Sequence, residues 1–157
     1  MKSFYIVILS VLLMACEDNE LNVDSFLSEI PADEYYQEEI IPPTYSDVYG
    51  IWKISSVFGG IAAIEHEPEF DYLELKKVGI YGIIKNSKLV DYGKIEIDTT
   101  VVNELDGLVL KFVSLSPSDK AFDITLFPKI VNLDKKDSLE LISACCDGFN
   151  YYFVKAD

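Results

Sequence analysis

Tyr49-Gly50-Ile51-Trp52-Lys53-Ile54-Ser55-Ser56-Val57-Phe58, YGIWKISSVF, is the stretch from which the fold follows. Branched and aromatic residues crowd it and alternate with polar ones, the period of a half-buried strand and not of a helix. Side chains along a strand point to opposite faces in turn. Trp52, Ile54 and Phe58 are therefore expected to share the core face, with Lys53 and Ser55 on the other. Gly59-Gly60 closes the run, as turn residues do.

Downstream the pattern recurs as FDYLELKK (70–77), GIYGIIKN (79–86), KLVDYGKIEID (88–98), GLVLKFVS (107–114), AFDITLF (121–127), DSLELISA (137–144) and FNYYFVKA (149–156). Pro, Ser-Pro-Ser-Asp and Asp-Gly breaks separate the runs. About eight strands at this spacing predict an all-β domain, an antiparallel barrel or a sandwich. In the last run Phe149, Tyr151, Phe153 and Lys155 fall on one face, which sets a lysine at the end of an aromatic row.

Upstream, residues 1–15 carry one charge, at Lys2, and an apolar run from Phe4 to Ala15 broken only by Ser10. That is the layout of an export signal. A spanning helix needs about 20 apolar residues, and this run meets Glu17 and Asp18 too early for that. Leu13-Met14-Ala15-Cys16 resembles the lipobox of bacterial lipoproteins. The resemblance implies a signal peptide over residues 1–15 and a lipid on the sulfur of Cys16, the first residue after cleavage, which makes the membrane a partner. Glu17-Asp18 directly after that cysteine is similar to the surface-export signal of lipoproteins in the Bacteroidota. The implied address is the outer membrane, on its periplasmic face or at the cell surface.

The chain has 27 acidic residues and 13 basic ones, all of the latter lysine. Removing residues 1–15 takes away one lysine and no acid, so 12 lysines against 27 acids leave a formal charge of −15. Nucleic-acid binding needs cations to neutralise phosphates, and bidentate anion recognition needs the arginine fork. Neither fits this chain. Ten acids and no lysine lie between Glu17 and Asp47, with no glycine, whereas all eight glycines come later. Such charge density opposes collapse. Residues 16–46 therefore read as an acidic, mostly disordered tether or as an arm packed on the domain, and residues 47–157 as a single domain.

Gly50-Ile51-Trp52 is similar to the glycine, variable residue, tryptophan signature that opens the barrel of lipocalins. In that family the tryptophan plugs the closed end and a basic residue near the end of the last strand lies across its ring. The resemblance gives Gly50, Trp52 and Lys155 those barrel-closing parts. GIWKI, the following FGG, the central GIYGIIKN and YGKIEI, and the closing Cys146-Asp147-Gly148-Phe149-Asn150-Tyr151-Tyr152-Phe153 also look like small lipocalin-like lipoproteins of the Bacteroidota. The implied fold is a small antiparallel up-and-down barrel of about eight strands. The implied interior, Trp52, Phe58, Phe70, Tyr72, Tyr81, Phe112, Phe149, Tyr151 and Phe153, would hold a small apolar ligand. A barrel with such short strands is also small enough to be filled by its own side chains.

Catalytic or metal chemistry has little to stand on. His66, the single histidine, sits in EHEPEF among Glu65, Glu67 and Glu69, and reads as a solvated acidic loop, since zinc needs more nitrogen or sulfur ligands. Cys145 and Cys146 precede an Asp-Gly turn and read as structural thiols, a disulfide between neighbours, or a redox or metal pair. No glycine-framed serine elbow is present. Asp91, Glu96, Asp98, Glu104 and Asp106 read as exposed strand and turn positions. The expectation is a noncatalytic envelope protein without a cofactor. It binds a small apolar molecule, or else serves as a filled structural module for an envelope protein partner.

Overall fold

A computed structural model describes residues 41–59, 64–97, 107–116, 121–135, 137–145 and 148–156. Cys16 with residues 16–40 of the tether, and Cys146, Asp98, Glu104 and Asp106, lie outside the described residues. Among the described residues there are nine strands: β1 (Gly50–Gly59), β2 (Ile64–His66), β3 (Tyr72–Lys76), β4 (Ile80–Lys85), β5 (Lys88–Ile97), β6 (Leu108–Ser114), β7 (Lys129–Lys135), β8 (Ser138–Ser143) and β9 (Asn150–Lys155). One short helix, α1 (Asp123–Leu126), lies between β6 and β7.

β1 and β3 through β9 pair antiparallel in chain order, and β9 returns to β1, so eight strands close an up-and-down barrel. Closure removes the unpaired edges that an open sheet would expose. β2 is the extra strand: it pairs with Val57–Gly59 on the edge of β1 that β3 occupies further back. Pro68 lies in the break between β2 and β3, as a residue without an amide donor would. Among the described residues the β6–β7 join is the shortest of the ring, running from Leu108–Val131 to Leu110–Lys129. Above it, α1 packs against β6.

Two local expectations are corrected. Residues 121–127 do not form a strand, although Phe122 and Ile124 are both buried and so mimic its period. The chain turns there instead, with Thr125 donating through both its amide and its hydroxyl to the Phe122 carbonyl. The missing strand is β7, just past Pro128. Within β1 the register with β9 slips between Ile54 and Ser56. A bulge of this kind reverses the alternation beyond it. Val57 thus turns inward opposite Tyr151, and Phe58 turns outward, where it meets Tyr152 edge to face at 5.7 Å.

The closed end is built around Trp52, which has no solvent exposure. A 3-10 turn, Pro43–Val48, runs beneath it and offers the Val48 carbonyl to the indole Nε1 at 2.7 Å. Lys155 Nζ lies 4.4 Å from the indole centroid and donates to the Tyr49 carbonyl at 2.8 Å. Gly50 has φ +136° and a Cβ there would come within 2.9 Å of the Lys155 Cε and Nζ, so only glycine fits. Ile41 is buried in the same core, so packed chain reaches back into the segment read as tether.

Midway along the barrel, Asp91 on β5 is 2% exposed, which corrects its reading as a surface residue. It accepts hydrogen bonds from the Tyr81 hydroxyl at 2.9 Å and the Ser114 hydroxyl at 2.6 Å, tying β4, β5 and β6 together. Burial, then the Asp91 charge, pushes the Tyr81 pKa upward, so the phenol stays protonated as a donor. Tyr81→Phe should cost about 1.5 kcal/mol, because the buried carboxylate keeps one donor in place of two. Urea unfolding of the two proteins at neutral pH measures this. Equal midpoints would show that the bond adds nothing.

Candidate functional site

The barrel interior is occupied by the chain itself. Tyr81 meets Phe112 edge to face at 5.1 Å, and Phe70 stacks on Tyr151 at 5.8 Å. Tyr151 in turn stacks on Phe153 at 6.2 Å, while Trp52 fills the closed end. Of the aromatic residues expected to surround a ligand, Trp52, Phe70, Tyr81, Phe112, Tyr151 and Phe153 are thus brought together as core. Phe58 faces outward because of the β1 bulge, and Tyr72 by strand alternation: Tyr72 opposes the exposed Lys53 while its neighbour Leu73 enters the core. Phe149 is half-buried at the open end.

Among the described residues, a cleft of about 390 Å³ lies at that open end, lined by Val57, His66, Glu67, Glu69, Ala121, Asp123, Leu126, Phe149 and Tyr151. Four separate parts of the chain supply it: the end of β1, the broken β2–β3 strand, the α1 segment and the start of β9. Clefts of this size suit small molecules. The Phe149 ring is held by two neighbours: a Cβ on Gly59 would collide with it, and the His66 imidazole stands nearly perpendicular to it with ring centroids 4.7 Å apart. α1 forms the opposite wall. Phe122 and Ile124 drive into the core while Leu126, 56% exposed, stays at the rim.

One carboxylate fastens this wall. Asp123 Oδ2 accepts from the Phe149 amide at 3.3 Å and the Tyr151 hydroxyl at 3.4 Å, and pairs with Lys129 Nζ at 3.6 Å. Lys129 is fully buried, donates to the Phe149 carbonyl at 3.0 Å, and stands 5.2 Å from the Tyr151 centroid. Burial pushes its pKa down to about 8, against the opposing pull of Asp123. Burial and the Asp123 charge move the Tyr151 phenol the other way, upward. On the far wall, Glu69 Oε2 reaches the Asp123 amide at 3.5 Å.

Sequence reading missed Asp123 and Lys129, because the segment carrying one was taken for a strand and the strand carrying the other was not seen. His66 and Glu67 are exposed, as a solvated segment requires, but the expected loop is corrected at His66, which ends strand β2 and pairs with Val57; its place beside Phe149 follows from that pairing. Among the described residues no group of three His, Cys, Asp or Glu side chains could hold a metal ion. Cys145 is a free, exposed thiol. No helix among the described residues is long and apolar enough to cross a membrane. Comparison of the chain with protein-family models, with curated proteins and with solved structures gives no match.

Proposed function

We propose that this chain is a noncatalytic envelope protein, anchored by lipid on Cys16, whose lipocalin-like barrel binds a small, partly apolar molecule at its open mouth. The observation that carries the reading is the 390 Å³ cleft between Phe149, Tyr151 and α1, set above an interior already filled. A filled core gives rigid walls, and rigid walls keep a shallow site in shape. The anchor is supported by the run ending Leu13-Met14-Ala15-Cys16 and by the acidic residues that follow it.

Both parts are open to measurement. Cys16→Ser should abolish incorporation of labelled palmitate and release the protein from the membrane fraction; retained label would remove the anchor. For the cleft, a neutral naphthylamine dye should gain fluorescence with the purified protein. Leu126→Trp, which fills the rim from an exposed position, should reduce that binding tenfold or more. The filled interior also favours a second reading, a solid module for an envelope protein partner. Crosslinking in intact cells that yields one discrete partner, with no dye bound at the mouth, would select it.

A further inference from the structure

Resting on the mouth cleft as the binding site, we infer that its ligand class is an organic ammonium ion with a short apolar body. The charge census of the lining decides the sign. Among the described residues of the lining, Glu67, Glu69 and Asp123 contribute carboxylates, His66 is the one nitrogen base, and there is no lysine. Lys129, a described cation beside the cleft, is fully buried and engaged by Asp123 and the Phe149 carbonyl. An anion entering the cleft would meet carboxylates from two walls, and no described residue of the lining other than His66 could answer its charge. A concavity lined by one sign of charge concentrates ions of the other, and the chain's net charge of −14 acts in the same direction.

The choice between a metal ion and an organic cation follows from convergence. These carboxylates line one space, yet among the described residues no three ligating side chains come close enough to share a metal. Separated carboxylates suit a cation whose charge is bulky, such as an alkylammonium head. The ring walls complete the fit. Ammonium groups are attracted to aromatic faces, the mode by which quaternary ammonium ligands are held. Lys129 already occupies the neighbourhood of the Tyr151 ring, so Phe149, packed on Gly59 and His66 yet lining the cleft, is the ring a ligand would meet. Val57 and Leu126 then receive the apolar body.

Three probes of similar size separate the possibilities: benzyltrimethylammonium, neutral N-benzylacetamide and anionic phenylacetate. Each is titrated into isotope-labelled protein, with amide shifts followed at His66, Leu126 and Phe149. The cation should bind at least tenfold more tightly than the neutral probe, phenylacetate should not bind measurably, and salt should weaken the cation. Glu67→Lys, an exposed change that leaves the core untouched, should lower cation affinity about tenfold. If the neutral or anionic probe shifts these amides at equal or lower concentration, the cationic class is overturned while the mouth site stands. If no probe and no naphthylamine dye binds there, the mouth site falls with it.

Discussion

Trp52→Ala should lower the free energy of unfolding by about 4 kcal/mol, the upper range for removing a large aromatic from a core. Trp52 is wholly buried, and three interactions end with it. The Val48 carbonyl loses its donor, Lys155 loses the ring beneath its ammonium, and the closed end acquires a void. A buried acceptor left without a partner costs about 1 to 3 kcal/mol, and the lysine-over-indole contact contributes roughly 0.5 to 2 kcal/mol. These contributions overlap with the cavity cost and are not summed. A domain of this size holds only about 5 to 15 kcal/mol in all, so the variant should unfold at far lower urea concentration. Lys155→Met keeps the indole and its bond to Val48 but loses the contact over the ring and the donor to the Tyr49 carbonyl, and should cost about 2 kcal/mol, half the loss from Trp52→Ala. Equal losses in the two variants would mean that the lysine, and not the indole, closes the barrel.

The second large effect is a pH response centred on Lys129. Its pKa is about 8 in the folded chain, against 10.5 for the side chain in water, chiefly because burial disfavours the ammonium. Between those two values the unfolded chain holds the proton and the folded chain has released it. Stability therefore rises with pH through this window. Comparison with Lys129→Met isolates the contribution, whatever the offset between the two proteins at neutral pH. The wild-type advantage should grow by about 2 to 3 kcal/mol from pH 7 to pH 10. Asp123, Tyr151 and Cys145 are the ionisable groups that act on or accompany this lysine. A Cys145→Ser background takes the thiol out of the comparison. The phenols of Tyr81 and Tyr151 have raised pKa values and favour folding below the unfolded tyrosine value, near 10, so they add no rise in this window. A flat difference between pH 7 and pH 10 would mean that Lys129 is solvated in the folded protein.

The barrel was legible because alternation is a local property. Trp52, Leu73, Leu75, Tyr81, Ile83, Leu110, Phe112, Leu139, Leu141, Tyr151 and Phe153 enter the core at the spacing that strand geometry demands. Where reading failed, a single residue had changed the count. The bulge near Ser55 sends Phe58 outward and Val57 inward, and nothing in SSVF distinguishes a bulged strand from a regular one. Phe122 and Ile124 satisfy two-residue spacing equally well from a turn that enters the barrel mouth. Lys129 was passed over because a lysine marks an exposed position unless a partner is known, and its partners stand 6 and 20 residues away. The cleft was invisible for the same reason. Its walls come from residues 57, 66–69, 121–126 and 149–151, and their meeting is a product of ring closure, not of any local motif.

The short β6–β7 join gives the ring a seam. Elsewhere the staves are held by longer ladders, but here Leu108 to Leu110 bear the join, and the stretch above is bridged by α1 in place of a strand. Closed barrels are hard to alter because each stave is fixed on both sides. A seam supplies the exception: the hoop is tight all round except where the mouth wall sits. The chain can therefore vary the rim of the α1 segment, at positions such as the exposed Leu126, with little disturbance to the staves, provided that Phe122, Asp123 and Ile124 keep their places in the core and its polar ties. The part of the molecule best placed to diversify is the part that shapes what the mouth admits.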